Sequence, residues 1–359
     1  MNTQNKNFWS LLLKLALPIA LQHLLINSLP FVDTVFMSQL GDVELAASGM
    51  ASQCNWLLSM VSFGICSGTA LFVSQFWGAK KYDDICKTYS VATTSAFVAS
   101  MIFFVASFFF GNQIMSLFNS DPRVIKIGAT YLKAAAFSYP ATVLSSVFCT
   151  VLRSTEKVKL PMFGSLISTS LNIVLDYAMV FGKLGFSKMG VTGAAVATAV
   201  SAWIGLFVLL AISRAQNNVL IIPIKSFLTF GKKDFISFMK KASPVIFNEM
   251  LWGFGMVVNN AIYSNTGYEN YAACTILRTI ESLCLIMFIG LNDGGAVIIG
   301  KTVGEGKEKL AYTYAKKICI TVPILSLFIG TAIIFARSFV INIFNLNLAL
   351  LLLVLSICC

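Results

Sequence analysis

Apolar residues in this chain run in long unbroken stretches, with polar residues gathered between them. The stretches lie at about 10 to 36, 52 to 77, 89 to 112, 129 to 151, 160 to 181, 190 to 212, 243 to 265, 275 to 299 and 313 to 339. About 20 apolar residues in a helix cross a bilayer, so the pattern predicts nine membrane-spanning helices. The alternation of apolar and polar positions expected of an outer-membrane barrel is absent, because the runs are continuously apolar. The first run is too long for a cleavable leader, carries Pro18 and Pro30, and is not followed by a small-residue cleavage site. It is expected to stay as a span.

Composition agrees with the pattern. Of the 359 residues 57% are hydrophobic and 11% charged, with a mean hydropathy of +0.81, whereas soluble domains carry roughly 25% charged residues. The expected class is an all-α polytopic membrane protein. A net charge of +11 in a soluble protein would suggest nucleic acid; here its placement matters more. With the N-terminus in the cytoplasm, 19 of the 26 Lys and Arg residues fall on inside segments. That is the positive-inside rule, so the charge reads as topology and no nucleic-acid partner is expected. The nine cysteines lie in or beside apolar runs without a CxxC pair, and read as small apolar residues. His23, the single histidine, reads as a polar residue packed between helices.

The chain repeats itself at an offset of 226 residues. Pro18 falls on Pro244, Ser38 on Ser264 and Gly41 on Gly267. Further along, Gly64, Gly68, Gly78 and Lys81 fall on Gly290, Gly294, Gly304 and Lys307. Six helices per repeat is an even number, so both copies face the same way, as parallel repeats about an axis along the membrane normal. This predicts a six-helix bundle over 1–212, a basic cytoplasmic linker over 213–241, and an incomplete second bundle of about three to four helices over 242–345. The register calls for three more helices, to about residue 440, but the chain reads "LNLALLLLVLSICC" over 346–359, an aberrant apolar tail.

Two parallel repeats around a cleft suit alternating access, in which the bundles rock about a site near the membrane midplane. No selectivity-filter motif suggests a channel. One histidine excludes a two-histidine metal motif, and an enzyme is not expected. Ionisable residues inside spans cost roughly 2.5–3.5 kcal/mol each at a helix centre and mark function by default. In the first bundle they are Asp33 and Asp176, with Asn172 one turn before Asp176 on the same face. Asp33, Asp176 and Thr198 each sit within about 3 to 8 residues of the outer boundary, hence in one layer roughly 5–12 Å deep. Two carboxylates with amide and hydroxyl oxygens suit a monovalent cation such as Na⁺, and close carboxylates also trap a proton. The alternative is that both carboxylates point to headgroup water. Pro18 and Pro30 give the first helix two points at which to bend, or simply fit it into the bundle.

The stretches "LALPIALQ", "FVDTVFMSQLGDVELAASG", "GTALFVSQFWGAKK", "NIVLDYAMVFG" and "GVTGAAVATAVS", with the echo "VGEGK", come in an order that resembles the multidrug and toxic compound extrusion (MATE) family. The resemblance implies a twelve-helix, two-lobed exporter in the cytoplasmic membrane, driven by inward H⁺ or Na⁺ and moving small organic compounds outward. It implies no cofactor beyond the coupling ion, and a monomer in the lipid bilayer. In the family branch with a first-lobe cation site, the matching positions here are Asp33, Asn172, Asp176 and Thr198, with Tyr131 in the same network and Pro18 as the bending point. Other members place the site in the second lobe. Here Asn259 stands at the repeat position of Asp33, and Glu249 and Asp293 are the acidic candidates, while Glu281 reads as a partner of Arg278. Two other readings stay open: a non-transporting remnant of such an exporter, and a flippase for lipid-linked sugars. The flippase would need basic residues in the cleft, and none is expected well inside a first-bundle run.

Overall fold

Among the residues that the computed structural model describes (3–216, 230–264 and 268–335), eleven helices carry the nine apolar runs and no strand occurs. The first bundle contains α1 (Thr3–Ser38), α2 (Asp42–Gly78), α3 (Tyr82–Phe109), α4 (Gly111–Ser116), α5 (Pro122–Ala136), α6 (Tyr139–Ser154), α7 (Lys159–Phe181) and α8 (Val191–Ala215). The second contains α9 (Lys232–Ser264), α10 (Tyr268–Gly304) and α11 (Glu308–Phe335). Seven helices are long and apolar enough to cross a membrane, or eight when α5 and α6 count as one bent span. The chain is an all-α multi-pass membrane protein.

The helices are longer than the runs, because polar residues at their ends continue the backbone hydrogen bonds. The basic stretch expected as a linker is helical at both ends: α8 runs to Ala215 and α9 begins at Lys232. Gly231 N donates to Asp234 Oδ2 at 2.9 Å, which closes the first turn of α9. Residues 217–229, the tail at 346–359, and the side chains of Asn259, Arg278 and Glu281 lie outside the described residues.

One run does not form one helix. The fourth, expected over 129–151, is the pair α5 and α6, bent by 47° at Phe137 and Ser138. Pro140 lies in the first turn of α6; it lacks the N–H that would bond the Ala136 carbonyl, and its ring clashes there. The corner is satisfied by other donors. Ser138 Oγ donates to Ala135 O at 2.7 Å, and Trp203 Nε1 on α8 donates to Phe137 O at 2.9 Å.

The two bundles meet where the repeat places glycine. A Cβ built on Gly68 of α2 would lie 2.9 Å from Ala242 Cβ of α9, and one on Gly294 of α10 would lie 3.2 Å from Ala16 N of α1. Gly64 opposes Ile246 in the same way that Gly290 opposes Ala20, and Gly78 opposes the Lys301 carbonyl as Gly304 opposes that of Gln75. Each contact maps onto its partner at the 226-residue offset. The interface therefore has approximate two-fold symmetry. Small residues let backbones approach closely in a membrane, where lipid gives no hydrophobic drive to associate. Pro18 lies between Ala16 and Ala20, and Pro244 between Ala242 and Ile246, so each proline is in the stretch of helix that crosses the seam, with its ring on the face turned away from it.

Candidate functional site

The first-bundle candidates come from four helices. Asp33 lies near the end of α1, Asn172 and Asp176 on α7, Thr198 on α8 and Tyr131 within α5. Tyr131 is not at the start of its helix as expected, because Asp121 caps α5 well ahead of it, its Oδ1 accepting from Arg123 N at 2.8 Å, with Pro122 at the first helical position.

The α7–α8 corner sets the register. Gly182, with φ +69, ends α7 in the left-handed conformation that glycine adopts without penalty. Lys183 N then donates to Ala178 O at 2.8 Å and Met189 N to Met179 O at 2.9 Å. This turns the chain back so that α8 starts beside the end of α7. A Cβ on Gly193 would lie 2.8 Å from the Met179 carbonyl carbon, which measures how close the two helices come.

The result is a buried polar cluster. Asp176 is 0% exposed and Asn172 1% exposed, while Asp33 and Thr198 are half-buried. The Asp33 and Asp176 carboxyls face each other within hydrogen-bonding reach across α1 and α7. Asn172 links the pair to α8: its amide nitrogen donates to Asp176 Oδ2 at 2.9 Å and its oxygen accepts from the Thr198 backbone N–H at 3.3 Å. The reversed amide would put nitrogen 3.4 Å from Thr198 Oγ1, but would turn its oxygen toward the carboxylate, which offers no donor. Thr198 Oγ1 itself donates to Ala194 O at 2.9 Å. Tyr131 is partly buried and packs against the apolar cluster around this end of the helices. Met37, Val180, Val191 and Ala194, with Phe36, Leu40 and Phe181, pack an apolar plug around this end of the helices.

Asp33 Oδ1 and Asp176 Oδ1 are both buried and accept no hydrogen bond from the protein. A buried, unpaired carboxylate is costly. Two facing ones are satisfied by a shared proton or by one small monovalent cation with oxygen ligands, and Asn172 and Thr198 supply further polar atoms beside them. The headgroup-water alternative does not fit a fully buried Asp176.

The second-lobe candidates are not brought together. Asp293 on α10 turns instead to the first bundle: Arg153 Nη1 donates to its Oδ2 at 3.2 Å, and His23 Nε2 lies 3.5 Å from the same oxygen. Arg153 Nη1 also lies 3.1 Å from His23 Nε2, and Nη2 donates to Thr150 Oγ1 at 3.3 Å. Glu249 is half-buried on α9, and no described hydrogen bond joins it to Asp293. It stands at the repeat position of His23. Arg153 lies just beyond the fourth apolar run, so no basic residue is expected well inside that run, yet a basic side chain does enter the space between the bundles. Its position at the end of α6 suggested the membrane surface, yet its side chain, 16% exposed, reaches inward between the bundles.

Comparison with known proteins supports the same architecture. The MatE family profile matches residues 18–178 and 244–357, two stretches that begin 226 residues apart. The second runs into the apolar tail. A probable multidrug resistance protein, NorM, of Thermotoga maritima is 26% identical over 305 residues, covering 83% of this chain and 64% of that protein. The probable multidrug resistance protein YoeA of Bacillus subtilis is 23% identical over 254 residues, covering 70% of this chain and 55% of its own length. The chain thus spans less than two thirds of these relatives. Among solved structures, the MATE transporter VcmN of Vibrio cholerae superposes with a TM-score of 0.82 at 16% identity over 92% of this chain and 75% of its own. A MOP superfamily transporter from Pyrococcus furiosus gives 0.81 at 18% identity over 95% and 75%. These likenesses establish a shared fold.

Proposed function

The chain belongs to the MatE family of membrane transporters, and on that premise we propose that it couples inward flow of H⁺ or Na⁺ to export of small organic, drug-like compounds. The observation that carries this reading is the facing pair of carboxyls, Asp33 and Asp176, buried on separate helices with one free oxygen each. Cation occupancy removes the repulsion between them. Release restores it, and α1 can answer by shifting at Pro18, where the carbonyl of Lys14 has no N–H to hold it. Because Ala16 and Ala20, on either side of Pro18, contact α10 across the seam, such a shift reaches the second bundle directly. That gives ion binding a differential effect on two conformations, which coupling requires.

In this reading the protein sits as a monomer in the cytoplasmic membrane with its N-terminus inside, and its cargo occupies the cleft between the bundles. A flippase for lipid-linked sugars is disfavoured, since the basic residues described between the bundles, Arg153 and Lys301, are already paired with Asp293 and Glu156. The test is dye efflux from sealed proteoliposomes holding this chain, with the pH and sodium gradients collapsed separately. Efflux that stops with one gradient identifies the coupling ion. Efflux indifferent to both, or absent altogether, rejects the reading, and absence favours the remnant.

A further inference from the structure

Away from the carboxyl pair, at the face where α2, α6 and α10 end, two further groups of side chains join the bundles. Lys301 Nζ on α10 donates to Glu156 Oε1 at 2.9 Å and Oε2 at 2.8 Å. Trp77 Nε1, at the end of α2, donates to the same Oε2 at 3.2 Å. Toward the membrane interior from this trio lies the group of Arg153, His23 and Asp293.

The chain accepts a conformational cost to place Glu156. It has φ 62, the left-handed region, at the position after α6 where glycine is usual. Lys157 N still donates to Leu152 O at 2.8 Å, so the helix end closes in the ordinary way with a charged residue in glycine's place. The backbone conformation aims the carboxylate across the seam. Beneath it, Gly78 and Gly304 let the ends of α2 and α10 cross with the backbone of each against the other. Both ionic side chains are about one quarter to one third exposed, at 24% for Glu156 and 32% for Lys301. Charge-assisted bonds of this length are strong, yet the groups remain close enough to water to separate.

We infer that Glu156, Lys301 and Trp77, with Arg153 and Asp293 above them, form an inter-bundle latch that seals this face of the cleft and opens whenever the cleft is exposed to it. The latch is distinct from the carboxyl pair, which lies toward the opposite membrane face and wholly within the first bundle. It goes beyond the proposed coupling and does not depend on it.

Cys66 on α2 reports on the seal, since its thiol lies beside Thr150, whose Oγ1 accepts from Arg153 Nη2. Cys86, near the start of α3 on the same face, provides the reference. In sealed vesicles, a membrane-impermeant maleimide is applied from this face and modification is quantified peptide by peptide by mass spectrometry. Glu156→Gln and Lys301→Gln are each expected to raise the ratio of Cys66 to Cys86 labelling at least threefold. The double variant should exceed neither single variant, because the two residues act as one unit. An unchanged ratio in the single variants overturns the latch, including the case where misfolding raises both rates together. Effects that multiply in the double variant overturn it as well.

Discussion

Asn172 stands one turn before Asp176 on α7 and donates its amide N–H to that carboxyl at 2.9 Å, while its oxygen accepts from the backbone of Thr198 on α8. One neutral side chain thus fixes the distance between two helices and the orientation of a buried acid. Hydrogen bonds to charged groups contribute roughly 1.5–3 kcal/mol. Asn172→Ala is therefore expected to lower gradient-driven dye efflux about tenfold to a hundredfold in proteoliposomes, at unchanged protein level.

Thr198 serves this arrangement through its backbone N–H, and its hydroxyl is spent on Ala194 O. Thr198→Val keeps the backbone donor and the branched shape. Proton-driven efflux by that variant should stay within about threefold of the unmodified protein, since only a hydrogen bond of about 1 kcal/mol or less to solvent-poor backbone is lost. Sodium-driven efflux, if that is the coupling, should fall further, because Oγ1 would then be an ion ligand. Parallel initial rates under the two gradients check this.

At the seam, Gly78→Ala places a methyl against the Lys301 carbonyl, where backbone must move. Overpacking of this kind costs typically 1–3 kcal/mol, so the melting temperature in detergent should drop. Gly49→Ala is the control. It is helical and exposed, with nothing within 4 Å of the added carbon, and should leave the melting temperature unchanged or raise it through better helix propensity.

The cap of α5 predicts a pH effect with a definite sign. Arg123, through its side chain and its backbone N–H, holds the Asp121 carboxyl below the usual carboxylate range. A folded-state value below the unfolded one means that the cap stabilises above the unfolded value and is lost as pH falls through the folded one. Hydrogen exchange of the first turn of α5 should be slow at neutral pH and quicken, beyond the intrinsic pH dependence, below about pH 4. Asp121→Ala should abolish that excess.

The hydropathy pattern carries the helical class, and the 226-residue offset carries the two-bundle plan, because seam glycines must recur wherever the bundles touch alike. The layer shared by Asp33, Asp176 and Thr198 is legible from distance along each span. Two features were not. The bend at Phe137 and Ser138 lies inside a continuous apolar run, and hydropathy cannot register Pro140's missing donor. Arg153, Glu156 and Lys301 stand near helix ends, where charge ordinarily means water. What draws them together is the polar cleft between bundles, a surface that exists only after folding.

The most direct measurement of the central claim is gradient-driven efflux by Asp33→Asn, Asp176→Asn and Glu249→Gln variants reconstituted side by side. The two first-bundle substitutions are predicted to abolish coupling while Glu249→Gln stays within about threefold of the unmodified protein, a difference of less than 1 kcal/mol. Full gradient-driven efflux in either aspartate variant would contradict a cation held between Asp33 and Asp176.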